Sequence, residues 1–207
     1  MLKFYRKHLK LIIWLIVLSF ALWGVGTLSV SQKASSSYIG SINGKKVSQK
    51  EFLLMFRYFD LITQADVARE NAASEEQLGE AHKPVEPLSI EQLRNLTWQA
   101  IVLSREAKHQ GIRVGDQEVK DEVQQLFISG GKFDEKLYRN WVAKYFRAGP
   151  RDFEEAVRKH LVTKKIQLVA LTGVPEEERG EKWVEWLREL LKKYEIRDYV
   201  QEEENKD

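Results

Sequence analysis

Ile39-Gly40-Ser41-Ile42-Asn43-Gly44-Lys45-Lys46-Val47-Ser48-Gln49-Lys50-Glu51-Phe52 is the stretch on which the reading of the fold turns. Asn43-Gly44 stands between two short runs that contain apolar residues, and both residues tolerate positive φ, so a β-hairpin is expected here. Ser48 and Glu51 follow as an S-x-x-E capping box and open a helix that should run to about Glu70. Phe52, Met55, Phe56, Phe59 and Ile62 recur at helical spacing and predict one apolar face.

Toward the C-terminus, residues 71–87 are polar, contain Pro84 and Pro87, and read as a long loop or partly ordered insert. Ser89 and Gln92 form a second capping box before a helix through Gln110, with Gly111 suited to its C-cap. Leu93, Leu96, Ile101 and Ala107 mix with Trp98 and Leu103, which predicts burial on more than one side. Three further helices are expected, over about 116–127, 134–146 and 150–171. They are separated by Ser129-Gly130-Gly131 and by a stretch ending at Pro150, a residue suited to a first helical turn. A last amphipathic helix over about 181–194 precedes the alternating run Glu195-Ile196-Arg197-Asp198-Tyr199-Val200, which reads as a short strand. The tail 201–207 is charged, and no repeat of fixed period is present.

Toward the N-terminus, Leu11 to Gln32 contains no charged residue. As a helix its 22 residues would be roughly 33 Å long, against a hydrocarbon core of ~30 Å, so the span reads as a transmembrane helix. The competing reading is a cleaved signal peptide, whose apolar region is shorter and ends at a small-residue site; the length here favours retention. Lys3, Arg6, Lys7 and Lys10 precede the span and only Lys33 follows closely, which keeps residues 1–10 cytoplasmic. Residues 33–37 are then a short linker, and the exported domain covers 38–200. It would lie in the periplasm if the source has two membranes, placing the protein in the inner membrane.

The 207 residues suffice for one domain and an anchor, and 43% hydrophobic with 31% charged residues is a globular composition. The net charge of +2 hides an asymmetry. Residues 1–33 hold five of the 33 basic residues and no acid, leaving 28 bases against 31 acids in the remainder. That balance argues against nucleic acid as a partner. With no cysteine, disulfides, thiolate nucleophiles and cysteine-ligated metals are excluded.

No catalytic residue, metal site or cofactor is expected. His8, His82, His109 and His160 lack metal-ligand spacing and read as solvated or core-edge histidines. Runs such as Glu176-Glu177-Glu178 read as solvated surface, and no nucleophile elbow or phosphate-cradling loop occurs.

The order of elements resembles the chaperone module of the SurA and PpiD proteins, exported bacterial folding factors. The residues quoted at the outset are similar to the family's "A-x-V-N-G-x-x-I-S-x-x-x-F" opening, and residues 111–119, Gly-Ile-Arg-Val-Gly-Asp-Gln-Glu-Val, to its "G-I-x-V-S-D-x-E-V" step. Residues 131–138 and 153–159 resemble its "G-x-F-D-x-x-x-Y" and "F-E-x-x-V-R" segments. Ser19 to Gly26 resembles the end of PpiD-type anchors, and 183–190 with 194–197 the closing helix and strand that return to the N-terminal module. The likeness covers nearly the whole chain apart from 71–87.

In that family a parvulin prolyl-isomerase domain of roughly a hundred residues usually precedes the closing helix. Here residues 172–180 alone occupy that place, so the isomerase is expected to be absent and the protein not an enzyme.

The fold class expected is therefore mainly α: a transmembrane helix, then a helical SurA N-terminal-like domain whose small β-hairpin is joined by a C-terminal strand. The resemblance implies a membrane-anchored, ATP-independent holdase for unfolded or newly exported polypeptides, close to the translocation channel. A chaperone of this kind needs an adaptable apolar cleft, and Met55, Phe56, Phe59, Trp141, Tyr145 and Phe146 are the candidate client-binding residues. Each also reads as core, and exposure of several as one patch would decide for binding. The alternative function is a non-catalytic envelope scaffold docking one dedicated partner.

Overall fold

Asn43 and Gly44 both have positive φ, 49° and 73°, as a tight hairpin turn between right-twisted strands requires. They join β1 (Tyr38–Ile42) to β2 (Lys45–Ser48). The computed structural model of the chain describes residues 38–78, 84–129 and 131–200. The expected transmembrane span 11–32, its flank, the linker 33–37 and the tail 201–207 lie outside the described residues. Among the described residues no helix is long and apolar enough to cross a membrane.

The Ser48 hydroxyl accepts the Glu51 amide at 3.1 Å and opens α1 (Gln49–Leu78). The expectation that this helix ends near Glu70 and yields to a loop is corrected. Residues 71–78, Asn-Ala-Ala-Ser-Glu-Glu-Gln-Leu, contain no helix breaker, and the first glycine after them is Gly79. The chain returns along the arm so formed: the Asn71 side chain accepts from the Val85 amide (2.7 Å) and donates to its carbonyl (3.1 Å).

Ser89 and Gln92 complete both halves of the expected capping box at the start of α2 (Ile90–His109), and Gly111 (φ 74°) follows its end. Next come α3 (Asp116–Leu126) and a hairpin of β3 (Ile128–Ser129) with β4 (Lys132–Phe133), whose turn uses the positive φ of Gly131. The single helix expected over 134–146 is instead α4 (Glu135–Trp141), capped by Asp134, running into a π-helical turn over Val142–Phe146. The wider turn closes with the Arg147 amide donating to the Val142 carbonyl at 3.1 Å, while Arg147 takes the left-handed conformation at φ 54°. Then come α5 (Pro150–Ala170), a 3₁₀ turn at Glu176–Glu178, α6 (Arg179–Lys192) and β5 (Ile196–Asp198).

The three-stranded sheet has the order β2-β1-β5, antiparallel throughout, with Gly40 opposite Asp198. A Cβ at Gly40 would overlap the Arg197 carbonyl oxygen and stand 2.7 Å from the Trp98 ring, so only glycine lets β5 and α2 approach β1 this closely. The core has two parts. One gathers Met55, Tyr58, Phe59, Phe127, Tyr138, Val142, Phe146 and Phe153 from α1, α4, its π turn, α5 and the end of α3. The other joins the sheet to α2 and α6 through Ile42, Val47, Phe52, Trp98, Ile101, Val102 and Leu190. Phe56 and Val162 pack against both. As expected, α2 is buried on two sides: Leu93 and Ala100 belong to the first part, Trp98 and Leu103 to the second.

Candidate functional site

The six candidate client-binding residues come together, but not as one open cleft. Met55 (0% exposed), Phe59 (5%) and Phe146 (0%) are interior and belong to the same core. Phe56 and Trp141 are half-buried against it. Tyr145 is 48% exposed, its ring 5.6 Å from that of Trp141. The accessible part of the group is thus the α4 side, and the other residues are its base.

Leu137, four residues before Trp141 and 45% exposed, extends this line along α4. Its offset of four from Trp141, with Tyr145 four further on, is the signal in the sequence that marks it. Below the line, Phe127 meets Trp141 edge-on at 5.3 Å, and Phe153 contacts both Trp141 (5.8 Å) and Phe146 (5.2 Å). An aromatic base of this kind anchors Trp141, against which the Tyr145 ring rests. The Lys144 ammonium lies 4.9 Å from the Tyr145 ring centroid. Arg57 of α1 donates to the Arg147 carbonyl at 3.1 Å and ties down the left-handed residue that ends the π turn. A strained turn held from outside, next to the exposed Tyr145 ring, is the type of feature that recurs at functional sites.

The electrostatics around the first core are those of interior packing. Burial pushes the Tyr58 and Tyr138 hydroxyls well above the usual tyrosine range, with Glu122 and Glu154 adding to it respectively. His160 sits against Tyr58 and Phe59, and its Nδ1 has no hydrogen-bond partner among the described residues. Burial, helped by Lys164, lowers its pKa to about 4, with Glu122 and Asp66 pulling the other way. His160 is therefore a neutral histidine at the edge of the core. His109 is exposed and lies 4.0 Å from Glu106. Among the described residues no group of three or more His, Cys, Asp or Glu side chains could hold a metal ion.

What this arrangement offers chemically is partly exposed apolar surface on a buried aromatic base. No curated protein and no solved structure matches the chain. A family model does, over residues 1–167, from the N-terminus to the last turn of α5. The SurA N-terminal domain is the non-catalytic chaperone part of its proteins, which suggests a chaperone-type or protein-interaction role with polypeptides as substrates. The chain belongs to the family of the SurA-like N-terminal domain.

Proposed function

We propose that this protein is an ATP-independent holdase for exported polypeptides, anchored in the inner membrane by residues 11–32 with its N-terminus in the cytoplasm. The domain from residue 38 onward stands in the periplasm, close to the translocation channel, and carries no parvulin isomerase. The observation that carries the reading is the line in which exposed Leu137 and Tyr145 flank half-buried Trp141 on the aromatic base of α4, in a chain of this family. Such a line takes apolar segments of many sequences, because it offers contact area without a fixed hydrogen-bond pattern. The buried members of the candidate set, Met55, Phe59 and Phe146, support the line from below.

The test is aggregation suppression without ATP, using the full chain in lipid nanodiscs and an unfolded outer-membrane protein as client. Wild type should suppress at near-stoichiometric ratio and should not accelerate prolyl-peptide isomerisation. Leu137→Ser with Tyr145→Ser, both half exposed, should raise the ratio for half-suppression about fivefold, the effect of losing roughly 1 kcal/mol of contact. Unchanged suppression would rule out this line as the client site. No suppression by wild type would overturn the holdase reading and leave the scaffold reading, to be pursued by cross-linking a dedicated partner.

A further inference from the structure

A cavity of about 420 Å³ opens among α3, β4, α4 and the start of α5, with neither Trp141 nor Tyr145 in its lining. That volume lies within the roughly 300–1,000 Å³ of ligand pockets, and well above the space a packing defect leaves. Its apolar floor is Val119 and Val123 of α3, Phe133 of β4 and Tyr138 of α4. Val119, Val123 and Tyr138 are buried and Phe133 is half-buried.

Four of the charged groups around this floor are committed to one another. Arg139 pairs with Glu135 at 2.7 Å, and Arg158 with Asp116 at 2.8 Å. Glu154 accepts the Tyr138 hydroxyl at 3.1 Å, and that hydroxyl stays a neutral donor because burial holds its proton on. Lys120 and Gln124, one helical turn apart on α3, differ: among the described residues neither side chain makes a hydrogen bond or ion pair. The cavity thus presents an apolar slot bordered on α3 by a cation without an ion pair, Lys120, and the Gln124 amide, and on α5 by the Glu154 carboxylate, whose partner is the neutral Tyr138 hydroxyl.

We propose that the cavity is a selective subsite for a polypeptide segment in which a large apolar or aromatic side chain is followed by a carboxylate. The apolar side chain fills the space over Phe133 and Tyr138, and the carboxylate pairs with Lys120 and accepts from the Gln124 amide. The class of ligand rests on the polypeptide-binding reading above; the selectivity does not. The α4 line discriminates little, whereas a cavity discriminates by shape, and Lys120 on its α3 side discriminates by sign.

The test uses the full chain in nanodiscs and four short dye-labelled, end-blocked peptides whose central pairs are Phe-Glu, Phe-Gln, Phe-Lys and Ala-Glu. Binding is read by fluorescence anisotropy. Phe-Glu should bind about fivefold tighter than Phe-Gln, the size of one partly screened charge contact, and Phe-Lys and Ala-Glu should bind more weakly still. Raising the salt concentration should shrink the Phe-Glu preference. Lys120 is exposed, so Lys120→Glu should fold normally and reverse the order of Phe-Glu and Phe-Lys. The double variant at Leu137 and Tyr145 should leave that order unchanged.

Equal binding of the three Phe peptides, tighter binding of Phe-Lys, or a Lys120→Glu variant that keeps the preference overturns the subsite. Aggregation suppression by the same preparation would then leave the holdase reading standing. A Lys120-dependent preference without suppression would do the reverse.

Discussion

His160 shows what one buried group does to the whole chain. Its folded pKa of about 4 lies below the ordinary histidine value of about 6.5, because burial between α1 and α5 disfavours the charged ring. The unfolded chain therefore takes up a proton first, and protonation favours unfolding. This part of the stability is complete above about pH 6.5, declines as the pH falls toward 4, and is level below that. Urea unfolding should show wild type losing about 2 kcal/mol through this group between pH 7 and 4.5. His160→Phe, apolar and close in size, should lose much less. Asp198 does not confuse the test, since its carboxyl is held below the usual value of 3.8 and titrates at lower pH. Equal losses in the two proteins would show that His160 protonates without cost. In the sequence His160 read as either solvated or core-edge; only the packing of Tyr58 and Phe59 against it decided.

At the scale of elements, the hairpin, the two capping boxes and the glycine after α2 were legible because each is local chemistry within four residues. The arm of α1 beyond Glu70 was not. A polar composition with prolines downstream suggested a loop, but helix formers without a breaker continue a helix already begun. The Asn71–Val85 clamp, across 14 residues of sequence, then fixes the returning chain. Asn71→Ala removes both hydrogen bonds. Amide exchange in residues 71–78 and 85–88 should accelerate about tenfold, while residues 52–62 keep their protection, as measured by hydrogen–deuterium exchange. Unchanged exchange in the arm would mean that the clamp contributes nothing. The π turn was equally invisible, since Val142–Phe146 fits an ordinary helix by composition. It is recognised by the hydrogen bond that Arg147 makes to Val142.

At the scale of the whole molecule, the ends of the described chain meet. Asn43 of the hairpin exchanges hydrogen bonds with Glu195, and β5 completes the sheet beside β1. Asp198 fastens this closure: it receives Arg94 through two nitrogens, the Trp98 indole at 2.6 Å and the Val200 amide at 3.1 Å. Burial opposes its ionisation, but the hydrogen bonds from Arg94 and Trp98 outweigh that and keep its carboxyl charged. Its contribution is present above the unfolded value and is lost as the pH falls through the lower folded one. Asp198→Ala leaves Arg94 and the indole without an acceptor and should cost about 3 kcal/mol in denaturant unfolding at pH 7. A loss below about 1 kcal/mol would show that the closure is held by apolar contact alone.

By itself, the sequence determined where most elements start, which helix faces are apolar, and the order of elements that marks the family. All of these depend on residues close together along the chain. Tertiary structure alone decided which of Met55, Phe56, Phe59, Trp141, Tyr145 and Phe146 are reachable, because a helical stripe is the same pattern whether a neighbour covers it or not. It also decided the Asp198 closure and the cavity beside Lys120, which need groups 104 and up to 42 residues apart, respectively, to arrive at one place. No periodicity encodes such a meeting; it follows from how β5 joins β1 and α2, and from how α3, α4 and α5 pack.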